Sequence, residues 1–378
     1  MLLDFGVKNF YSFHEGFELS LRLNRKCPIS VSKGKKYANV ICINGANASG
    51  KTNVLKALNF ISQFVSNSFS LKPEEELGFE PFFNSKEDSD FFVTFMINDI
   101  EYRYELSANP TRVLSEIVYR KDKRYVKVIE REERNFVYLH PDFSDLEIIK
   151  LRNNASLIST AKQYELVSTN LIYSFFYNFI SNVNRFGLFK NVPSISFISE
   201  IYHNKKSYFD FVKEQIKSFD VGISNIEILS REDENGKQIY FPIFVHDLDD
   251  SEEGLTIYTE SSGTRALYEI LYLYKLALEH GSILILDEFD INLHPFILPK
   301  LIELFESNLN EKGAQLIFTT HNFTVMNELG KYKVALVNKK KNSSYVYRLD
   351  EIPGDIVRND REISRVYYSG KIGGTPKI

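Results

Sequence analysis

Tryptophan is absent, and the 378 residues include only three methionines and two cysteines, Cys27 and Cys42. Two cysteines supply neither a disulfide framework nor a metal-ligand cluster, which excludes a disulfide-stapled scaffold and fits a reducing cytoplasm. No apolar run reaches the roughly 18 residues of a membrane span. The opening MLLDFGVKNF lacks the charged-then-apolar pattern of a secretory leader. The chain shows no internal repeat, no low-complexity linker and no sustained heptad run, so an extended coiled coil is excluded. Charge of one sign is also missing: 46 Lys and Arg against 50 Asp and Glu leave a net charge of −4. Nothing overall advertises a polyanion partner, although a local basic face is compatible with that balance.

What is present is an ordinary globular composition, 43% hydrophobic and 25% charged. The length suits one large domain or two moderate ones. The 31 Phe and 22 Tyr read as core rather than as a base-stacking surface.

Residues 1–24 alternate apolar and polar and predict two strands joined around Tyr11 to Gly16. The run ANVICIN at 38–44 predicts a buried strand that ends at a Gly-containing loop. Residues 51–66 place Val54, Leu55, Leu58, Ile61 and Val65 on one helical face. Residues 91–139 read as a series of strands separated by turns such as Asn98-Asp99 and Asn109-Pro110. From about 155 to 220 the pattern turns helical and predicts a helical insert at 151–222, between lobes at 1–150 and 223–378. Strands are expected near 223–229, 239–245 and 255–259. Helices follow at 263–279 and 295–308, with strands at 282–286, 314–319 and 333–338, the alternation of an α/β domain with a parallel sheet.

Four short motifs sit at the ends of these elements. Gly45, Gly50, Lys51 and Thr52 have the spacing of a phosphate loop, in the strand–loop–helix setting that such a loop needs. Its backbone N–H groups and the helix N-terminus would face phosphates, Lys51 would reach the β- and γ-phosphates, and the Thr52 hydroxyl would hold Mg²⁺. SILILDEF, residues 282–289, ends a buried strand in Asp287-Glu288. Asp287 suits Mg²⁺ binding through water and Glu288 suits a general base on the attacking water; an acidic pair there is also an ordinary helix cap. QLIFTTHN, residues 315–322, ends another strand in Thr319-Thr320-His321. His321 there is either a γ-phosphate sensor or a structural residue. TESSGTRAL, residues 259–267, places Ser261-Ser262-Gly263 at a helix start, which is either a second anion site or a simple N-cap.

Taken in chain order, phosphate loop, Ser-Gly helix start, strand with Asp-Glu and strand with His, the four motifs resemble the ATP-binding-cassette ATPases. The resemblance implies a P-loop NTPase head with an N-terminal β-rich lobe and a helical insert. It implies ATP and Mg²⁺ as ligands, and a head-to-tail homodimer or higher homo-oligomer in which the Ser-Gly signature of one copy completes the ATP site of the other. The wording GANASGKTN, SSGTRAL, LDEFDINLHP and FTTHN, with VKNFYSF near the start and YYSGKIGGTPKI at the end, is similar to a stand-alone cytosolic branch. That branch includes the overcoming-lysogenization ATPases and the RloA-like and AriA-like ATPases of bacterial defence. By this resemblance Gly45, Asn47, Ser49, Gly50, Lys51, Thr52, Asn53, Ser261, Ser262 and Gly263 hold ATP. Thr52 and Asp287 hold the metal; Glu288, His321 and Lys51 carry catalysis.

The signature reads Ser-Ser-Gly-Thr, which departs from the transporter form. Pro295 suits the first turn of the following helix, and Asp290 and His294 either lie at a dimer seam or cap that helix. The glutamine that usually joins the ATP site to the insert has no clear counterpart, Glu80 being the one candidate. About 55 residues follow His321, fewer than a usual further domain. The resemblance therefore implies an effector, nuclease or toxin, that is a separate protein. A RecF-like or SMC-like DNA clamp is the alternative, with candidate basic runs at Lys33, Lys35 and Lys36, at Arg120 to Arg124, and at Lys339 to Lys341. A transporter subunit fits least, and no membrane contact is expected.

Overall fold

The computed structural model describes residues 1–189, 193–354, 356–357 and 362–375. The last three residues of the C-terminal motif, 376–378, lie outside them.

The chain opens with β1 (Leu2–Lys8) and β2 (Phe17–Ser20), then a single turn, α1 (Ile29–Ser32). The apolar run gives β3 (Val40–Asn44), and the amphipathic stretch after the glycines gives α2 (Lys51–Asn67). Five strands follow: β4 (Ser89–Ile97), β5 (Ile100–Asn109), β6 (Arg112–Lys121), β7 (Tyr125–Glu132) and β8 (Asn135–Leu139). They join β1 and β2 in a seven-stranded antiparallel sheet of order β2-β1-β4-β5-β6-β7-β8.

Next come α3 (Leu157–Gln163), α4 (Asn170–Tyr177), β9 (Phe179–Ser181), the small hairpin β10 (Val183–Asn184) and β11 (Gly187–Leu188), α5 (Ile195–Asn204) and α6 (Lys206–Phe219). A three-stranded sheet is made by β12 (Ile223–Glu232), β13 (Gln238–Leu248) and β14 (Ser251–Thr256). The chain closes with α7 (Ser262–His280), β15 (Ile283–Leu286), α8 (Leu298–Glu306), β16 (Gln315–Thr319), α9 (Thr324–Leu329), β17 (Val334–Lys340), β18 (Ser343–Arg348) and α10 (Ile363–Tyr368).

The second large sheet has the order β18-β17-β3-β16-β15-β9. Its strands are parallel except for β18. Its central strands are buried on both faces, which explains their unbroken apolar runs. Because side chains alternate across a strand, each strand feeds two cores. Ile41, Ile43, Ile285, Ile317 and Val337 face α2 and the antiparallel sheet. Val40, Cys42, Leu284, Phe318 and Leu336 face α7, α8 and α9.

The expected insert at 151–222 is helical, with α3 to α6, but short strands interrupt it. Residues 179–181 are a strand of the central sheet, paired with β15. The helices on either side pack into different cores: Ile158, Ala161, Ile172 and Phe176 into the first, Ile198, Tyr202, Val212 and Ile216 into the second. Its described residues form no core of their own, and the segment passes along one edge of the sheet. Two corrections follow. The third strand of the small sheet is Ser251–Thr256 rather than 255–259, and all six residues are exposed, so no alternation marked it. The helix expected from 295 begins at Leu298, with Pro299 rather than Pro295 in its first turn.

Candidate nucleotide site

The phosphate-loop motif lies between β3 and α2. The loop is tied down on one side by Asn44, whose Nδ2 donates to the Thr320 carbonyl at 3.0 Å and whose Oδ1 accepts the Gly45 N–H at 2.7 Å. The β17–β18 hairpin holds the other side. Ser344 Oγ donates to the Ser49 carbonyl at 2.6 Å, and Lys339 Nζ to the Ala48 carbonyl at 3.2 Å. Gly50 has φ 111°, and a Cβ there would sit 2.7 Å from both Ser12 Oγ and Ser344 Oγ. Only glycine fits that combination. Ser12 also accepts from Asn53 Nδ2 at 2.9 Å. Asn47 is exposed at the loop tip.

Lys51, the first residue of α2, is buried, and its ammonium donates to the carbonyls of Gly45 at 3.0 Å and Ala46 at 3.2 Å. Burial lowers its pKa, against the opposing pull of Asp287, Glu288 and Asp290. Asp287 is buried at the end of β15 and its two carboxylate oxygens are held separately. Thr52 Oγ1 donates to Oδ2 at 2.8 Å, and Thr319 Oγ1 to Oδ1 at 2.6 Å. Thr319 Oγ1 also accepts the Glu288 N–H at 2.8 Å. Glu288 has φ 49°, a strained backbone for a residue with a side chain, and it is held there by that bond. The first and third motifs thus meet on one acid.

Sequence reading missed the residue that completes this clasp. Asn182 follows β9, and its side chain brackets the Asp287 backbone: Oδ1 accepts the Asp287 N–H at 2.7 Å and Nδ2 donates to its carbonyl at 3.0 Å. The hairpin that follows then reaches over α2, where a Cβ at Gly187 would lie 3.8 Å from Thr52 Cγ2. A polar residue just after an edge strand was the only signal for it, and the helical pattern of 170–184 hid that strand. Glu80 is exposed, and its backbone carbonyl accepts the Tyr11 N–H at 2.8 Å.

The remaining motif residues are less gathered. Ser261 and Ser262 are exposed at the start of α7. Ser261 Oγ caps that helix by accepting the Thr264 N–H at 3.0 Å, so its plainer reading as an N-cap holds, whatever else it does. Gly263 lies against the Asn292 carbonyl, in the segment that follows Glu288. Among the described residues, the hydrogen bonds of Ser261 go to Glu260, Thr264 and Arg265, and none runs to the phosphate loop. His321 is exposed at the end of β16. Asp290 and His294 both belong to the turns before α8: the Asp290 carbonyl accepts the Leu293 N–H and His294 Nδ1 the Phe296 N–H.

These residues fit a phosphate and a hard cation. Ser49 Oγ is buried in the phosphate loop with no hydrogen-bond partner, as a group reserved for a ligand would be. The Thr52 hydroxyl and the Asp287 carboxylate offer adjacent oxygens. Among the described residues no group of three or more His, Cys, Asp or Glu gathers to hold a metal. Mg²⁺ keeps waters and takes one or two carboxylates with the phosphates of its substrate, a set to which Thr52 and Asp287 could contribute.

The sequence over residues 40–327 matches the family described as "AAA domain, putative AbiEii toxin, Type IV TA system". The chain belongs to this AAA family. Its fold is that of an ABC-type P-loop NTPase head. No curated protein matches the AAA chain. Among solved structures it is similar to the SmcHead bound to the C-winged helix domain of ScpA, at 13% identity and a TM-score of 0.51, covering 92% of this chain and 97% of that one. The SMC head domain from Thermotoga maritima is 16% identical with a TM-score of 0.47, covering 92% of this chain and 98% of that one. At such identities the likeness is one of fold. Among the described residues no helix is long and apolar enough to cross a membrane.

Proposed function

We propose that this AAA protein is an ATP-driven switch. Two copies close head to tail around ATP, hydrolyse it, and thereby restrain or release a separate effector, a nuclease or toxin, in antiviral or abortive-infection defence. The observation that carries the reading is the split of the site. Lys51, Thr52, Asp287 and Glu288 converge within one chain, whereas Ser261 and Ser262 stand exposed and make no bond to that chain's phosphate loop. A second copy would bring its Ser261-Ser262-Gly263 helix start to the γ-phosphate. The family's own description, with a toxin and a toxin–antitoxin system, supports the defence role.

Within the site, the loop N–H groups with Ser49 and Asn53 orient the phosphates, and Lys51 leaves its loop carbonyls to meet the β- and γ-oxygens. Mg²⁺, held by Thr52 and through water by Asp287, would supply charge neutralisation of the phosphates. Glu288 takes a proton from the attacking water, and His321 contacts the γ-phosphate and reports its loss. Purifying tagged Glu288→Gln protein from its native host with Mg-ATP, with and without nuclease treatment, tests the reading. A stoichiometric protein that survives nuclease treatment is the expected result. Equal phage yields from wild type and Glu288→Gln across many phages would defeat the defence role.

A DNA clamp is the second reading, and one basic run favours it. Lys33 donates to the Glu306 carbonyl, Arg120 pairs with Asp142 and Lys121 with Glu101, so two of the three runs are engaged within the chain. Lys340 and Lys341 are exposed beside Lys339, which grips the phosphate loop. Retention of duplex DNA at low salt with ATP, lost in a Lys340→Glu, Lys341→Glu variant, would move the assignment to this reading.

A further inference from the structure

A cavity of about 240 Å³ lies behind the β10–β11 hairpin, on the face of α2 that continues from Thr52. Tyr11, Lys56, Asn59, Gln63, Asn184 and Arg185 line its polar parts. Lys56, Asn59 and Gln63 recur at helical spacing on α2, so they point to one side. The hairpin turn places Arg185 opposite them and is pinned by the Tyr11 hydroxyl, which donates to the Arg185 carbonyl at 3.0 Å.

The charge here is one-sided. Lys56 Nζ lies 4.2 Å from the centre of the Tyr11 ring, and the Arg185 guanidinium lies 4.5 Å from that of Phe186. Among the described residues neither cation makes an ion pair. The charges acting nearby are Asp287 on Lys56, through space, and Glu80 on the Tyr11 hydroxyl. Lys56 is half-buried, and burial lowers its pKa. Lys56 gives up hydration on burial with no bonded carboxylate to replace it, and Arg185, exposed on the hairpin, brings a second positive charge to the cavity's edge. An anion seated there would answer the uncompensated Lys56 charge and draw on Arg185 as well. Three amide side chains add donors, and the aromatic Tyr11 adds a flat wall.

We propose that this cavity is a second anion site, separate from the phosphate loop, for a small phosphate-bearing ligand no larger than a mononucleotide. The placement gives it a route to the ATP site. Its roof is the hairpin that starts from Asn182, the residue bracketing Asp287, and passes over Thr52. Occupancy would fix that hairpin and with it the direction of the Asp287 carboxylate. This rests on the switch reading for its consequence, a ligand-tuned ATPase, but not for the binding itself.

The test uses the full chain and two probes, inorganic phosphate and 5′-AMP. Calorimetric titration is carried out in Lys51→Ala protein, where the phosphate loop is disabled, and in Glu288→Gln protein saturated with Mg-ATP. Saturable binding of at least one probe in both forms is expected. Adding Lys56→Met or Arg185→Ala should weaken it tenfold or more, with ATP affinity in the Glu288→Gln form kept within about twofold. Arg185 is exposed, so its variant reads the site even if Lys56→Met disturbs packing. No binding, binding unmoved by both variants, or displacement of the probe by ATP would overturn the proposal. Failure of the protein to bind ATP at all would defeat the switch reading instead, and the Lys51→Ala titration would still report on the cavity.

Discussion

Thr319→Val isolates the clamp on Asp287. Valine matches threonine in shape, and the residue is fully buried, so the change removes a hydroxyl and little else. Two bonds go. The Asp287 carboxylate loses its 2.6 Å donor, and the Glu288 N–H loses its acceptor. A hydrogen bond to a charged group contributes about 1.5–3 kcal/mol, and an orphaned amide costs about 1–3 kcal/mol. Glu288 is only half-buried, so water offsets part of the second term, and Thr52 still holds the other carboxylate oxygen. A net loss of about 2–3 kcal/mol of folding stability follows, read as a lower urea midpoint at unchanged slope. The effect on hydrolysis is separate. If the barrier depends on the aim of Asp287 and the strained Glu288 backbone, losing about 1.4–2.7 kcal/mol of transition-state stabilisation slows turnover about 10–100-fold. Phosphate release at saturating ATP measures this, and a fluorescent ATP analogue should show affinity changed by less than about threefold. A variant that is destabilised yet turns over at the wild-type rate would show that Thr319 serves the fold alone. A variant unchanged in both would refute the clamp.

Ser262→Arg should leave ATP binding by one subunit intact but block pairing, so hydrolysis at the wild-type rate would rule out a shared site. Gly50→Ala must place a Cβ within 2.7 Å of two hydroxyls at φ 111°, and it should cost about 1–3 kcal/mol of stability and abolish retention on ATP-agarose; normal retention would show that the loop tolerates a side chain. Glu101 accepts from Lys121 at 2.8 Å and from Tyr125, and pairs with Arg22. Burial raises its pKa, but these donors outweigh burial and bring it from 4.5 down to about 2. A carboxylate depressed on folding stabilises fully above its unfolded value and loses that contribution as pH falls through the folded one. After allowance for solvent screening, Glu101→Gln should cost about 1–2 kcal/mol at pH 7, and the difference should vanish between pH 4.5 and about 2. A difference that does not change with pH would refute that account.

The strands that bury both faces were legible because they are long apolar runs, and β3, β15 and β16 begin within two residues of their expected starts. The antiparallel strands from 89 to 139 were legible through their turns. Residues 179–181 were not, because three apolar residues beside a helix carry no period of their own. β14 is wholly exposed, and β18 follows a tight turn, Lys341-Asn342, of two positive-φ residues that no glycine announced. In the site, Lys51 and Thr52 were readable because they follow two glycines at a fixed spacing and open a helix, and Asp287 and Glu288 because they follow an apolar strand. Asn182 and Ser344 were not, since their meaning lies in backbone atoms 105 and 295 residues away.

That last distance bears on how the protein is made. The strand that launches the phosphate loop, β3, lies between β16 and β17, and the loop is gripped from β18. At a synthesis rate of about 5–20 residues per second, roughly 15–60 s separate the emergence of Ser49 from that of Ser344. For most of that interval, until Gln315–Thr319 emerges, Val40–Asn44 has neither neighbour, and an apolar strand with two bare edges is an invitation to aggregate. The phosphate loop's supports are therefore completed late in synthesis, and a chain stalled before Gln315 lacks both neighbours of β3 and the hairpin that grips the loop.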